Sequence, residues 1–233
     1  MRHLQKSLLA SLIFLFPIAL MSDNLPGQYS SFDASGAVGM GKYSGAVSGN
    51  HTQAVGGDNN FRFGLGIRYS VFSGSDLTYE TAPQHKIDEI DEFVVENPIN
   101  HGLNLFLEAE YGFNEDWGAG FNIDLMGLGF GPRRTGKFLT DEDGHPSEVA
   151  ASPTSFNLLI MGPMDRGQLK SEFYAAYTVD EQIRVRGGAD MSFAEYTTDQ
   201  VLTNDNDRFR HIAMMMFGGA SYNPFDDDPF KYD

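Results

Sequence analysis

The sequence contains no cysteine, which excludes disulfide bonds, thiolate catalysis and cysteine-based metal sites. It has a single tryptophan, and it contains 16 lysine and arginine residues but 32 aspartate and glutamate residues. The net charge of −16 argues against binding nucleic acid or acidic lipid through a basic patch. Beyond the N-terminal segment, every window long enough for a transmembrane helix contains a charged residue. No such helix is therefore predicted there.

The residues that are abundant indicate β-structure. The chain has 19 phenylalanines, 10 tyrosines and 26 glycines. Aromatic residues favour strands, and the sequence has little of the helical periodicity that leucine, alanine, glutamate and lysine would provide. A length of 233 residues fits one large β domain.

The N-terminus has the order of a secretory signal peptide. Arg2 and Lys6 precede an apolar run at residues 8–21, and Asp23 and Asn24 follow it. We predict a signal peptide at residues 1–21, with a cleavage site that no good small-residue motif defines. The alternative is an uncleaved anchor helix. An exported chain of this kind is periplasmic, secreted or located in the outer membrane.

Alternating hydrophobicity predicts the strands. In residues 103–113, Leu103, Leu105 and Leu107 share one face, whereas Asn104 and Glu108 lie on the other. A polar turn at residues 114–116 leads to a second alternating segment, and the same hairpin pattern recurs at residues 169–193. Residues 61–71 also alternate, and residues 209–222 do so less cleanly. Two further strands must come from residues 29–59, where the alternation is weak.

These segments predict a closed, up-and-down antiparallel transmembrane β-barrel of about eight strands. Strands of about 10–12 residues suit a tilted bilayer span. One face of each strand is apolar, and the other carries glycine and charges of both signs. Because an unpaired charge away from water is costly, we predict a lumen plugged by an ion-pair network. Its members are Arg62, Arg68, Glu108, Glu110, Asp124, Lys170, Glu172, Arg184, Arg186 and Asp190. The alternative fold is a soluble barrel or an antiparallel sandwich with one wet face.

The lengths of the connections predict orientation. The short turns at residues 114–116 and 180–182 are expected in the periplasm, and the long segments 74–102, 132–168 and 197–207 outside the cell. Much of the acidic surplus lies in these long segments. We interpret it as solvated loops and name no metal ligands, because residues 141–144 provide only a fragment of a calcium-binding loop.

Several sequence motifs are similar to those of small outer-membrane β-barrel proteins. They are FGLGIRYS at 63–70, YETAP at 79–83, NLF at 104–106, GFNID at 120–124, GLGFG at 127–131, PTSFNLL at 153–159, SEFY at 171–174, EYTT at 195–198 and NDRFR at 206–210. The resemblance spans residues 61–222 and implies a porin-like barrel domain without catalytic residues. Barrels of this kind usually end on an aromatic residue that the insertion machinery recognises, whereas this chain continues past Tyr222.

The resulting domain prediction is a signal peptide at 1–21, an outer-membrane barrel at 29–225 and an acidic C-terminal tail at 226–233. We expect the outer membrane of a Gram-negative bacterium and a structural or interaction role in membrane integrity, adhesion or partner binding. Expected partners are outer-membrane lipid and lipopolysaccharide, the barrel-insertion machinery and an unidentified extracellular protein, with no nucleic acid.

No cofactor and no enzymatic activity are predicted. His51, His85, His101, His145 and His211 lie in no nucleophile or zinc motif. The alternatives are a lipid-modifying enzyme active at the rim, or a small-solute channel.

Overall fold

The computed structural model describes residues 28–55, 60–83, 91–139, 148–162, 164–201 and 206–224. The predicted signal peptide and acidic tail lie outside these residues. The described residues form one antiparallel sheet of 13 strands. No helix among them is long and apolar enough to cross a membrane. The strands are β1 (Gln28–Gly39), β2 (Lys42–Val55), β3 (Phe61–Gly74), β4 (Leu77–Thr81), β5 (Glu92–Val95), β6 (Ile99–Gly112), β7 (Trp117–Phe130), β8 (Arg134–Phe138), β9 (Val149–Pro153), β10 (Phe156–Leu158), β11 (Leu169–Thr178), β12 (Ile183–Thr198) and β13 (Arg208–Tyr222).

The long strands close on themselves. Their pairing runs from β1 through β2, β3, β6, β7, β11, β12 and β13, and β13 pairs back with β1. We call this circle the long-strand ring. Closure gives every long strand a hydrogen-bonded neighbour on both sides, which removes the exposed edges that an open sheet would have.

A second circle stands at one end of the long-strand ring. Here β13 pairs with β4, which continues through β5, β8 and β9 to β12. Because β12 and β13 also pair with each other as far as Thr197 and Arg208, these six strands form a closed circle, which we call the cap ring. The short strand β10 pairs separately with β7.

The interior of the cap ring is apolar. Tyr79, Phe93, Tyr196 and Phe209 are fully buried there, and the Phe93 and Phe209 rings lie 5.1 Å apart. Gly136 of β8 faces Phe93 so closely that an added Cβ would lie 2.2 Å from the ring, so only glycine fits. The apolar cluster continues into the neighbouring end of the long-strand ring through Phe72, Ala213 and Met215.

Two sequence-based expectations are corrected by this architecture. The prediction of about eight strands was wrong for the sheet, which has 13 strands. The long segments expected as loops contain β4, β5, β8, β9 and β10, and β6 begins at Ile99 within the first of them. The strands β4, β5, β8, β9 and β10 are three to five residues long, too short for alternation to reveal them. Some of them also pair with strands distant in sequence, as β4 does with β13 and β9 does with β12.

The burial pattern shows which face of each long strand points inward. On β3, Arg62, Gly64 and Arg68 are buried, whereas Phe63 and Leu65 are exposed. The charged and glycine-rich face is therefore the interior, and the apolar face is the exterior. β7 changes phase midway, because the register with β6 shifts at Leu105/Phe106. Beyond this bulge its outward residues are Met126, Leu128 and Phe130.

Candidate functional site: the ion-paired interior

The ten residues predicted to form the lumen network are all buried in the structure. They lie inside the long-strand ring on β3, β6, β7, β11 and β12. Nine of them take part in ion pairs with one another or with Asp33. The tenth, Arg62, lies opposite Glu110 in the β3–β6 register and has its guanidinium 5.3 Å from the centre of the Tyr29 ring.

The middle of the interior is organised around Arg68 and Lys170. The Arg68 guanidinium lies 3.1 Å from the Asp124 carboxylate and 3.8 Å from that of Glu172. The Lys170 ammonium lies 3.4 Å from Glu172 and also pairs with Asp190. Two cations and three carboxylates thus form one connected cluster that links four strands.

Neutral groups complete the hydrogen bonding of this cluster. The Asn104 side-chain amide donates to Asp124 at 2.7 Å, and Asn122 donates to Glu172 at 2.9 Å. The Ser35 hydroxyl of β1 donates to the other Glu172 oxygen at 2.8 Å. Because the carboxylates receive several donors, the cost of burying their charge is largely offset.

A second cluster lies nearer the short turns. Arg184 contacts the Glu110 carboxylate at 2.8 Å. Arg186 lies between Glu108 at 3.3 Å and Asp33 at 3.4 Å. The Tyr174 hydroxyl donates to Glu108 at 2.6 Å and lies 3.1 Å from Glu110. These contacts span the interior from β1 to β12.

Side chains fill most of the space between these groups. The cavity lined by Tyr29, Arg62, Glu110 and Arg184 has a volume of about 10 Å³. That volume is close to the smallest that holds one water molecule. Packing against glycine contributes to the filling, because an added Cβ on Gly66 would lie 2.4 Å from the Phe106 ring. At this level the interior offers no room for a solute.

Sequence reasoning missed Asp33, Asn50 and Ser35. Asp33 is buried and accepts hydrogen bonds from Ser31 and Asn50, in addition to its ion pair with Arg186. All three residues lie in the first hairpin, where outward alanine and glycine obscure the alternation. The available signal was that Ser31, Asp33 and Ser35 share one face of β1, whereas Phe32 lies on the other face.

The outer wall carries the apolar residues. Phe121, Phe173, Tyr177 and Val185 are between 38% and 52% exposed, a large fraction for side chains of this kind. Leu107 and Ile123 face the same side and lie opposite each other on β6 and β7.

Aromatic residues gather at both ends of this wall. Trp117 and Tyr177 lie 4.9 Å apart near the short turns. His101 stacks on Phe130 at 5.4 Å near the cap ring, and the Tyr69 hydroxyl lies 2.8 Å from the His101 Nδ1. Tyr111 and His101 are ten residues apart on β6. At a rise of about 3.4 Å and a tilt of about 40° this spacing corresponds to roughly 26 Å, close to the height of a bilayer-facing apolar band.

The histidines of the described residues take ordinary structural roles. The His51 Nδ1 lies 2.8 Å from the Ser30 hydroxyl, but Ser30 is fully buried, so a substrate cannot reach that oxygen. His211 Nδ1 lies 2.7 Å from the Thr78 carbonyl oxygen. His85 and His145 lie outside the described residues. Within the described ranges, no group of three or more histidine, aspartate or glutamate side chains is arranged to hold a metal ion.

Comparison with known proteins gives limited similarity. No family model matches the chain, and no curated protein matches it. The crystal structure of Neisserial surface protein A (NspA) is 12% identical, covers 86% of this chain and 99% of that chain, and has a TM-score of 0.39. The crystal structure of a Pseudomonas aeruginosa FadL homologue is 11% identical, covers 78% of this chain and 68% of that chain, and has a TM-score of 0.25. At this level neither similarity identifies the family or the function of the chain.

Proposed function

We propose that the chain is an outer-membrane β-barrel that acts as a structural or interaction protein and does not conduct solutes. The observation that carries this proposal is the inverted burial of the long-strand ring. Its interior holds ion pairs such as Arg68–Asp124, and its exterior exposes residues such as Phe121 and Phe173. A water-soluble domain instead buries its apolar side chains and exposes its charged ones.

The outer wall supports the membrane part of the proposal. A transmembrane barrel needs an apolar outer band with aromatic residues at both interfaces. The Trp117–Tyr177 and His101–Phe130 pairs lie in those positions. Closure of the ring also pairs most backbone groups of the long strands with a neighbouring strand, as a bilayer requires. The predicted signal peptide would route such a chain out of the cytoplasm.

The arrangement of chain connections supports the orientation. The cap ring and the Met40–Gly41 turn lie at one end of the long-strand ring. The short turns at residues 113–116 and 179–182 lie at the other end, together with the start of β1 and the end of β13. We propose that the cap ring is extracellular and that the short turns are periplasmic.

The filled interior favours an interaction role over a channel. The middle cluster links four strands, and the apolar cap ring stands over one end of the lumen. Solute passage would require separating buried ion pairs and unpacking the cap. Lipopolysaccharide and an extracellular protein stay predicted partners, and the exposed outer surface of the cap ring is the surface such a protein would meet.

Single-channel recording tests the plugged lumen. We expect the purified protein to insert into planar lipid bilayers without a stable conductance. The double variant Asp124→Ala/Glu172→Ala should show opening events, because it removes two of the three carboxylates of the middle cluster. The turn variant Glu115→Ala is the matched control and should behave like the unchanged protein. A steady open channel in the unchanged protein would contradict the proposal and favour transport.

Cell fractionation tests the location independently. The full-length chain, expressed in a Gram-negative host, should separate with the outer membrane. It should migrate anomalously in gels before heating, as closed barrels that resist detergent do. Recovery in the soluble periplasmic fraction would support the soluble-barrel alternative.

A further inference from the structure

A short hairpin at residues 158–166 has an apolar tip. Leu158 and Arg166 pair at its base, through backbone hydrogen bonds of 3.0 and 2.9 Å. At the tip, Met161 is 82% exposed, Ile160 is 54% exposed and Met164 is 37% exposed. We call residues 158–166 the apolar finger. It belongs to the segment 132–168, whose length predicts a position outside the cell.

The finger is held in one conformation by its own polar groups. The buried Asp165 carboxylate accepts from the Ile160 amide at 2.7 Å and from the Gly162 amide at 3.5 Å. Met161 has a φ of 62°, in the left-handed region that few residues other than glycine adopt. Such a conformation costs free energy and persists only where the surrounding contacts impose it. The finger is therefore a fixed structure that keeps Ile160 and Met161 exposed.

The finger leaves the outer wall at a level inside the apolar band. The Leu159 amide donates to the Leu125 carbonyl oxygen of β7 at 2.7 Å. Leu125 precedes Phe130 by five residues, and Phe130 forms with His101 the aromatic pair at the cap-ring end. At a rise of about 3.4 Å per residue and a tilt of about 40°, this spacing corresponds to roughly 13 Å. The base of the finger therefore lies on the membrane side of this aromatic pair.

From its base the finger extends over the outer face of β12 and β13. Gly162 and Asp165 line a cavity of about 720 Å³. The outward residues Phe193 and Ile212 line the same cavity from β12 and β13. The Arg208 guanidinium donates to the Asp165 carbonyl oxygen at 3.3 Å. The remaining charged residues of the cavity belong to the cap ring and are Glu80, Glu92 and Arg210. The finger therefore lies where the apolar wall meets the polar edge of the cap ring, which is the level of the membrane surface in the proposed barrel.

The finger pairs most of its own backbone amides, as a bilayer requires. The six amides that donate to a carbonyl oxygen or to the Asp165 carboxylate belong to Leu158, Leu159, Ile160, Gly162, Asp165 and Arg166. One charged side chain, that of Arg166, is exposed at the base. A long arginine side chain can lay its methylene groups against apolar surface and place its guanidinium among headgroups. Both features fit a position at the membrane interface.

The finger continues an apolar surface of the outer wall. Phe156 of β10 pairs with Leu128 of β7, and their side chains are 43% and 53% exposed. Met126, which pairs with Leu158 at the base of the finger, is 47% exposed. Exposed apolar groups that form one surface mark a contact with lipid or with a protein. Because this surface is continuous with the proposed lipid-facing wall, the position favours lipid.

We propose that the apolar finger inserts Ile160, Met161 and Met164 among the acyl chains of the outer leaflet. It is a membrane-binding site within a segment whose length predicts an extracellular loop. The inference rests on the proposed function, because the barrel must span a bilayer with its cap ring outside.

Fluorescence quenching by brominated lipids tests this site. In the Trp117→Phe background, Met161→Trp places a single fluorophore at the tip of the finger. The vesicles contain phosphatidylcholine brominated either near the headgroup or near the end of the acyl chain. We expect a loss of fluorescence that is greatest with bromine near the headgroup. Leu107→Trp in the outer wall should respond most to bromine near the chain end.

The matched control is Thr135→Trp, at an exposed position of the cap ring, which should lose little fluorescence in either lipid. A loss at position 161 no larger than at position 135, with clear quenching at 107, would overturn the proposal and favour an extracellular protein as the partner. Lack of quenching at 107 would instead contradict the proposed function.

Chemical labelling gives a second readout that does not require a large side chain. On intact cells, Met161→Cys should react with a membrane-impermeant maleimide about tenfold more slowly than a cysteine at the exposed Glu148, because acyl chains exclude the reagent and disfavour the reactive thiolate. Reaction of the two cysteines at equal rates would also overturn the proposal.

Discussion

The Arg68 guanidinium and the Asp124 carboxylate lie 3.1 Å apart across the interior, and both side chains are almost completely buried. The residues are 56 positions apart in sequence and lie on strands that are not neighbours in the ring. Their contact therefore ties together parts of the barrel that backbone pairing does not join.

Removing one partner of this pair should be costly. We expect Asp124→Ala to lower the free energy of unfolding by about 3–5 kcal/mol, because it leaves the buried Arg68 charge without its nearest carboxylate. The double variant Arg68→Met/Asp124→Leu should recover a large part of that loss, since two apolar residues leave no uncompensated charge. Urea unfolding in lipid vesicles measures both. A loss below about 1 kcal/mol in Asp124→Ala would show that the pair is solvated.

A charge placed on the outer wall should also destabilise the protein. Leu107→Arg should lower the free energy of unfolding by about 2–4 kcal/mol, because it places a charge against the middle of the bilayer. The control Glu115→Arg changes an exposed position in a short turn and should cost less than about 0.5 kcal/mol. Equal effects in the same vesicle assay would favour a soluble barrel.

The sequence was informative where both faces of a strand are chemically distinct. Leu103, Glu108 and Tyr111 alternate clearly between outward and buried positions, so the faces of β6 were correctly predicted. In the first hairpin, outward Ala34, Gly36 and Gly45 are as small as many inward residues, and Asp33 was missed. Small residues carry little information about which face is apolar.

The cap ring could not be predicted for another reason. Four of its six strands have only four or five residues, and the pairings that close the circle join distant segments: Ala151 pairs with Thr198, and Thr81 pairs with Phe209. Local periodicity contains no information about such pairings. The ten residues predicted as an inward set are buried. The choice of ion-pair partner depends on the relative position of strands, as with Arg186 and Asp33.

Removing the hydroxyl group should change the free energy of unfolding in opposite directions for two tyrosines in the cap ring. The Tyr79 and Tyr196 rings contact edge to face at 5.4 Å. Burial holds the pKa of Tyr79 well above its usual value, and its hydroxyl has no hydrogen-bond partner among the described residues. The Tyr196 hydroxyl lies 3.2 Å from the Ile99 amide nitrogen and 3.3 Å from the Ile99 carbonyl oxygen.

We therefore expect Tyr79→Phe to raise the free energy of unfolding by about 1 kcal/mol and Tyr196→Phe to lower it by about 1–2 kcal/mol. The two variants remove the same atom from neighbouring rings, so each is the control for the other. Destabilisation by Tyr79→Phe equal to that by Tyr196→Phe would mean that the Tyr79 hydroxyl has a partner after all.

The absence of native cysteine makes the orientation easy to test. A single cysteine at the exposed Glu148 of the cap-ring end should react with a membrane-impermeant maleimide on intact cells. A cysteine at the exposed Glu115, in a short turn at the other end, should react only after the outer membrane is opened. The reverse pattern would invert the proposed topology.

The most direct measurement is fluorescence quenching by brominated lipids at three consecutive positions of β6. The chain has one tryptophan, so Trp117→Phe gives a silent background in which Leu105→Trp, Phe106→Trp and Leu107→Trp each introduce a single fluorophore. Residues 105 and 107 face outward and Phe106 is buried inside the ring. We expect strong quenching at 105 and 107 and weak quenching at 106. Weak quenching at all three positions, or strong quenching at 106 alone, would contradict a membrane barrel with a polar interior.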